Sequence, residues 1–158
     1  MTGFWRCAAY VALLGVVGFF AGRLAAGHRF RYDRFPWKDY PFEQGGSLYR
    51  KIGIHRWQAH MPDMSRVFRH MMPPKRLYPG ITVAEVEQMV QETCVAEWTH
   101  LWLNALALPV FWLWPGWGGA IFYILYALLG NVTFILIQRF TRPKLVALAQ
   151  KLARREGK

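Results

Sequence analysis

The sequence predicts a mainly α, integral membrane protein with about three transmembrane helices and a basic, aromatic cytoplasmic segment carrying short interfacial helices, all in one membrane domain. Three observations predict it. The 158 residues are 54% hydrophobic and 16% aromatic, and the apolar residues gather in three long runs. Twenty Lys and Arg stand against nine Asp and Glu, a formal net charge of +11, and they lie almost wholly between and after those runs. A soluble domain seldom combines so much apolar content with so much positive charge, whereas small membrane proteins with cationic cytoplasmic faces do. A nucleic-acid binder is also basic, but it does not spend its aromatics in uncharged runs, so no nucleic-acid partner is expected. Cys7 and Cys94 are too far apart to form a metal-binding motif, and two cysteines in apolar surroundings give no disulfide framework.

The first apolar segment, about residues 5–22 ("WRCAAYVALLGVVGFFAG"), carries only Arg6 at its outer end. The second, 94–114, holds Glu97 and His100 near its start and Pro109 near its end; the third, 120–138 ("AIFYILYALLGNVTFILIQ"), has no charge. Eighteen to 21 helical residues reach roughly 27 to 31 Å, enough to cross the hydrocarbon core. "PGWGG", Pro115 to Gly119, reads as a tight turn that makes a hairpin of the second and third segments. Twelve Lys and Arg lie between Arg23 and Arg76, seven between Arg139 and Lys158, and one, Arg6, before the first segment. The positive-inside rule then predicts a multi-pass protein of the cell membrane with its N-terminus outside, residues 23–93 cytoplasmic, the turn outside and the basic tail 139–158 cytoplasmic. A cleaved signal peptide is the alternative for the first segment, with "LAAG" near residue 27 as its small-residue site, but cleavage would export the basic middle. In an anchor, Gly18-x-x-x-Gly22 suits close helix packing.

Residues 28–80 mix basic and aromatic residues with Pro36, Pro41, Pro62, Pro73, Pro74 and Pro79, which excludes one long helix or a regular sheet interior. A short surface helix is expected over Ser47 to His60, with Leu48, Ile52 and Trp57 on one face and Arg50, Lys51 and Arg56 on another. An ordinary solvated basic face explains each single charge equally well. Thr82-Val83-Ala84-Glu85 reads as a capping box that starts a helix.

From that start Val86, Val90, Thr93, Glu97 and His100 recur at spacings of four, three, four and three, one inward helical stripe, and Asn104 extends it. Asn131, Gln138 and Arg142 align within about 40° on a face of the third segment. Hydrocarbon offers polar groups no partners, so the two stripes should face each other and line a polar cleft open to the cytoplasm.

Ionisable residues in a membrane segment are functional candidates because of what they cost to place there. A histidine oriented and kept basic by a carboxylate can deprotonate a hydroxyl for attack on a thioester, which gives His100 the role of general base and Glu97 that of its partner. Asn104, Asn131 and Tyr49 are candidate hydrogen-bond donors to an oxyanion. Arg139, Arg142 and Lys144 suit phosphates of a cofactor or lipid headgroup, although positive-inside anchoring accounts for each of them separately. Three other readings stay open. The Glu97 and His100 pair can be a structural hydrogen bond in a non-enzymatic, lipid-binding membrane subunit. Glu-x-x-His can hold a metal with Glu43, Glu92, His55 or His60. Cys94 can carry an acyl group, but its direction is about 120° from that of His100.

The blocks "FEQGGSLYRKIGIHRW", "EVEQMVQETCVAEWTH" and "YALLGNVTFILIQRFTRPKL" occur in that order. With them the chain, from about Arg29 to Arg155, resembles the glycosyl-4,4'-diaponeurosporenoate acyltransferase family of small bacterial membrane proteins. The matching positions are Phe42, Glu43, Gly46, Tyr49 and Trp57, then Glu92, Glu97 and His100, then Asn131, Gln138, Arg139, Arg142 and Pro143; Gln58, after Trp57, departs from the Lys of the family pattern. The resemblance implies transfer of a fatty acyl group to a hydroxyl of a lipid-like acceptor, the sugar of a carotenoid glycoside, in staphyloxanthin-type carotenoid biosynthesis. It implies no bound cofactor, acyl-CoA or another acyl thioester as donor, and a substrate site drawn from Glu43, Tyr49, Trp57, Asn104, Asn131, Gln138, Arg139 and Arg142 around the catalytic His100 and Glu97.

Overall fold

The computed structural model describes residues 2–26, 30–61 and 77–157. All regular structure among them is helical: α1 (Thr2–Ala25), α2 (Ser47–Lys51), α3 (Ile54–Trp57), α4 (Val83–Leu106), α5 (Val110–Leu113), α6 (Trp117–Leu125) and α7 (Thr133–Glu156). Two 3-10 turns, Pro41–Gly46 and Gln58–His60, flank α2 and α3, and a π-helical stretch, Tyr126–Val132, joins α6 to α7 without a break. The expected prolines Pro62, Pro73 and Pro74 and the small-residue site near residue 27 lie outside the described residues. Two described helices are long and apolar enough to cross a membrane, Thr2–Ala25 and the continuous Trp117–Glu156.

The second expected segment, 94–114, is divided. α4 ends at Leu106, the backbone tightens into a turn in which the amides of Leu108 and Val110 bond to carbonyls three residues back, and α5 adds a single turn. Pro109 is the cause: it lacks the N–H that a continuing helix needs and pushes Leu108 out of helical geometry. The third segment is longer at both ends than the expected 120–138, because Trp117 starts its helix and the basic tail continues it to Glu156.

The chain divides into two units, residues 1–28 with 95–135 and residues 29–94 with 136–158. In the first, α1 packs on the latter part of α4 through small residues. A Cβ placed on Gly18 would lie 3.0 Å from Leu103 Cδ2, and one on Gly22 3.0 Å from Thr99 Oγ1, so the Gly-x-x-x-Gly spacing does serve close approach. The carbonyls that α4 frees at its end are met by tyrosines: Tyr10 donates to the Leu106 carbonyl at 2.7 Å and Tyr123 to that of Asn104 at 3.3 Å. The hairpin turn closes around Trp114, with Gly116 in the left-handed region at φ 88° and Gly119 so near the Trp114 carbonyl that no side chain fits. Replacing Gly22 by Val is expected to push α1 off Thr99 and Val95. The protein should lose about 1–3 kcal/mol of stability, read as a lower thermal midpoint in detergent.

In the second unit the first turns of α4 bury Val86, Met89 and Val90 against Leu145 and Ala149 of α7. Each fully buried aliphatic side chain of this kind contributes roughly 1.5–3 kcal/mol. The capping box forms as the sequence indicates: Thr82 N donates to Glu85 Oε2 at 2.9 Å and Glu85 N to Thr82 Oγ1 at 3.3 Å. The helix expected over Ser47 to His60 is broken at Gly53, whose φ of 78° is left-handed and restarts the chain as α3. The two short helices on either side of the break bury different residues from the face expected to meet the membrane surface. Tyr49 and Ile54 are buried against Phe140, Trp57 is half-buried beside them, and Leu48 and Ile52 are exposed.

Candidate functional site

The inward stripe of α4 is buried as its spacing requires: Val86, Val90, Thr93 and Glu97 are all at most 6% exposed. So is the second stripe, where Asn131, Gln138 and Arg142 are buried at 1%, 8% and 4% exposure. The stripes meet once in each unit.

In the first unit His100 Nδ1 and Asn131 Oδ1 are 2.9 Å apart. An amide oxygen has only lone pairs to offer, so Nδ1 carries the proton as donor and Nε2 is left as the basic nitrogen. The imidazole also stacks on Phe134, with ring centroids 5.0 Å apart and planes within 5° of parallel. One hydrogen bond and one stacked ring therefore fix both the tautomer and the plane of His100. Glu97, one helical turn earlier on α4, is 1% exposed. Asn104 follows one turn later. Among the described residues Asn104 Oδ1 is a buried side-chain atom without a hydrogen-bond partner, while Asn131 Nδ2 faces the Tyr126 hydroxyl. An unpaired group of this kind costs about 1–3 kcal/mol, so the survival of Asn104 Oδ1 in the fold calls for a reason.

In the second unit Arg139 and Glu43 form a buried ion pair at 2.9 Å. Glu43 also accepts from the Tyr49 hydroxyl and, at 2.7 Å, from the Tyr40 amide. Burial pushes the Glu43 carboxyl up, but the bonds from Tyr49, Tyr40 and Arg139, together with the Arg139 charge, outweigh it and hold the carboxyl below its ordinary range. Burial and the neighbouring carboxylate push the Tyr49 phenol well up. The guanidinium of Arg139 also lies over the Tyr40 ring.

Arg142 is spent on the protein itself. It donates through Nε to Thr93 Oγ1 at 2.8 Å, through one terminal nitrogen to the Trp37 carbonyl at 2.7 Å and through the other to the Thr93 carbonyl at 3.1 Å. Trp37 Nε1 donates to the Cys94 carbonyl at 3.1 Å, and the Gln91 amide clasps the backbone of Phe30 at both ends. These bonds strap residues 30–40 to α4 and α7. A cavity of about 420 Å³ beside them is lined by Trp37, Lys38, Arg139, Arg142 and Pro143 among others. Lys144 lies over the Phe140 ring, and burial and then the Arg50 charge lower its pKa from the usual lysine value.

Among the expected site residues, then, the structure brings His100 to Asn131 in the first unit and Glu43 to Tyr49 and Arg139 in the second. Gln138 is buried on α7, and Trp57 packs on the Tyr49, Ile54 and Phe140 cluster. Sequence reasoning did not find Phe134 or Trp37. Both touch the site through contacts 34 or more residues away in the chain, and neither stands in a recognisable motif. Among the described residues no three His, Cys, Asp or Glu side chains converge as metal ligands.

Residues 28–151 match the family model described as glycosyl-4,4'-diaponeurosporenoate acyltransferase. The chain is 31% identical to the glycosyl-4,4'-diaponeurosporenoate acyltransferase of Staphylococcus aureus strain MRSA252 over 80% of its own length and 75% of the relative's. It is 32% identical, over the same shares, to the protein of that name from Staphylococcus aureus strain bovine RF122 / ET3-1. No solved structure matches the chain.

Proposed function

We propose that this chain, which belongs to the glycosyl-4,4'-diaponeurosporenoate acyltransferase family, transfers a fatty acyl group from an acyl thioester such as acyl-CoA to a sugar hydroxyl of a lipid-like glycoside, a carotenoid glycoside in the first instance. The observation that carries the mechanism is the hydrogen bond from His100 Nδ1 to Asn131 Oδ1, which leaves Nε2 to act as base.

His100 Nε2 takes the proton of the acceptor hydroxyl as its oxygen attacks the thioester carbonyl. Glu97, buried one turn away on the same helix, orients the imidazole as its carboxylate partner. The tetrahedral intermediate then collapses, the C–S bond breaks and the thiolate recovers the proton from His100. Asn104 Oδ1, lacking a partner among the described residues, is suited to receive a hydrogen bond from the acceptor's sugar. Glu43, Tyr49, Trp57, Gln138, Arg139 and Arg142 complete the substrate-binding set that the family resemblance implies. Within the second unit the ion pair and the Arg142 straps fix the backbone around residues 36–43, where Lys38 is exposed at the rim of the cavity.

An amphipathic acceptor dissolved in the bilayer calls for a membrane enzyme. Two described helices of sufficient length and apolarity support that reading. On it, the 94–114 segment is a third crossing, the N-terminus of the protein lies outside, and the basic middle and tail face the cytoplasm, where acyl thioesters are made. Lipid extracts of cells with and without the gene test the activity. Deletion should accumulate a glycoside lighter by one fatty acyl group, and an unchanged glycoside pool would overturn it.

A further inference from the structure

Three cations of α7 suit a phosphate by sequence, Arg139, Arg142 and Lys144, and the fold spends the first two on itself. Arg139 pairs with Glu43 and donates to the Pro36 carbonyl, and Arg142 bonds to Thr93 and Trp37 through all three of its nitrogens. Lys144 differs from both. It is exposed, it has no ion pair among the described residues, and its ammonium lies over the Phe140 ring.

Arg50 of α2 is held beside it. The two helices are locked together at this point: Tyr49 is buried against Phe140, and Gly46 approaches α7 so closely that a Cβ on it would lie 3.3 Å from the Phe140 carbonyl oxygen. Arg50, next after Tyr49, and Lys144, over Phe140, therefore flank one rigid contact. Arg50 is likewise exposed and without an ion pair among the described residues. Its charge reaches the lysine. Burial first, and the Arg50 charge second, lower the Lys144 pKa, and no carboxylate acts in the opposite sense.

Two cations fixed together without a counter-ion repel each other. Positive-inside anchoring asks only for cations on one side of a membrane, not for two from separate helices brought side by side. An anion between them converts the repulsion into attraction. A phosphomonoester matches the pair in charge, carrying close to two negative charges and three free oxygens at neutral pH. The guanidinium fork takes two of those oxygens and the ammonium, a point charge, takes the third. A carboxylate or a phosphodiester brings one negative charge and leaves the pair half neutralised.

We propose that Arg50 and Lys144 form a phosphomonoester-binding site, filled by the terminal phosphate of a nucleotide-bearing acyl donor or by that of a monoester phospholipid headgroup. Two measurements on the full chain separate the sources, and neither needs turnover, so the site is tested apart from the acyl-transfer reading. In the first, CoA is titrated calorimetrically into protein held in phosphatidylcholine nanodiscs. For a donor phosphate, Arg50→Gln/Lys144→Gln should weaken CoA binding by about tenfold or more, and dephospho-CoA, which lacks the monoester, should bind the wild type as weakly as CoA binds the variant. In the second, lipid retained by detergent-purified protein is read by native mass spectrometry. For a headgroup, the variant should lose phosphatidic acid, a monoester, with no change in phosphatidylglycerol, a diester. Arg50→Lys keeps the charge and should stay within about threefold of wild type. Should the double variant not fold, Lys144→Gln alone decides. No difference between variant and wild type in either measurement would overturn the site. So would an equal loss in Lys51→Gln/Arg56→Gln, which removes two other exposed cations of α2 and α3, because a diffuse positive field would then explain the binding.

Discussion

Acyl transfer by a His100→Ala variant is expected to fall by roughly 10²- to 10⁴-fold, the usual contribution of a positioned general base. The argument is geometric. Asn131 holds the proton on Nδ1 and Phe134 holds the ring plane, so Nε2 is presented in one orientation. The substitution leaves helix α4 anchored by its own capping box and by Val86, Met89 and Val90. Membrane insertion and elution as a single species in detergent should therefore persist. Loss of activity with retained insertion separates catalysis from folding, and His100→Gln repeats the comparison with a side chain of similar bulk.

A Glu43→Ala variant should be destabilised by about 3–5 kcal/mol, the typical cost of removing one partner of a buried ion pair. Glu43 is 2% exposed and satisfies three donors at once: Arg139, the Tyr49 hydroxyl and the Tyr40 amide. Its removal takes the shared acceptor from all three and leaves the Arg139 guanidinium, only 15% exposed, with the Pro36 carbonyl and no carboxylate opposite it. The measurement is denaturant or thermal unfolding followed by tryptophan fluorescence, with Glu43→Ala/Arg139→Met expected to recover part of the loss because no unpaired charge remains. The wild type should also show an acid dependence that the variant lacks. Folding lowers the Glu43 pKa, so the contribution of Glu43 to stability is fully present above the ordinary carboxylate pKa of about 4.3 and fades as pH falls through its lower folded value.

Periodicity reached far into this structure. The spacing of Val86, Val90, Thr93 and Glu97 identified the buried face of α4, and that of Asn131, Gln138 and Arg142 the buried face of α7 and the turn before it. The reasoning that polar groups in an apolar helix must find one another put the two stripes face to face without naming pairs, and His100 does meet Asn131 and Thr93 does meet Arg142. Those inferences work because helical geometry converts sequence distance directly into direction. The features that were missed depend on something other than a repeat. Gly53 reads as an ordinary glycine until its left-handed φ splits the 47–60 helix, and the burial of Tyr49 and Ile54 against Phe140 has no signal in the spacing. Pro109 was visible in the sequence, yet whether a proline kinks a helix or ends one depends on what else meets the freed carbonyls, here Tyr10 on Leu106 and Tyr123 on Asn104. The π-helical turn at Asn131 has no pattern of its own. Arg139 and Glu43 stand 96 residues apart, so their pairing is a property of the packed chain.

The central claim, that this chain esterifies a sugar hydroxyl using His100 as base, is tested most directly by supplying purified protein in proteoliposomes with isotopically labelled acyl-CoA and a carotenoid glycoside and following the products by mass spectrometry. The account predicts a glycoside heavier by one labelled acyl group, one equivalent of free thiol per ester formed, and a rate that falls at least 100-fold in His100→Gln. Ester formation at the wild-type rate in that variant, or no labelled ester from folded wild-type protein, would contradict it.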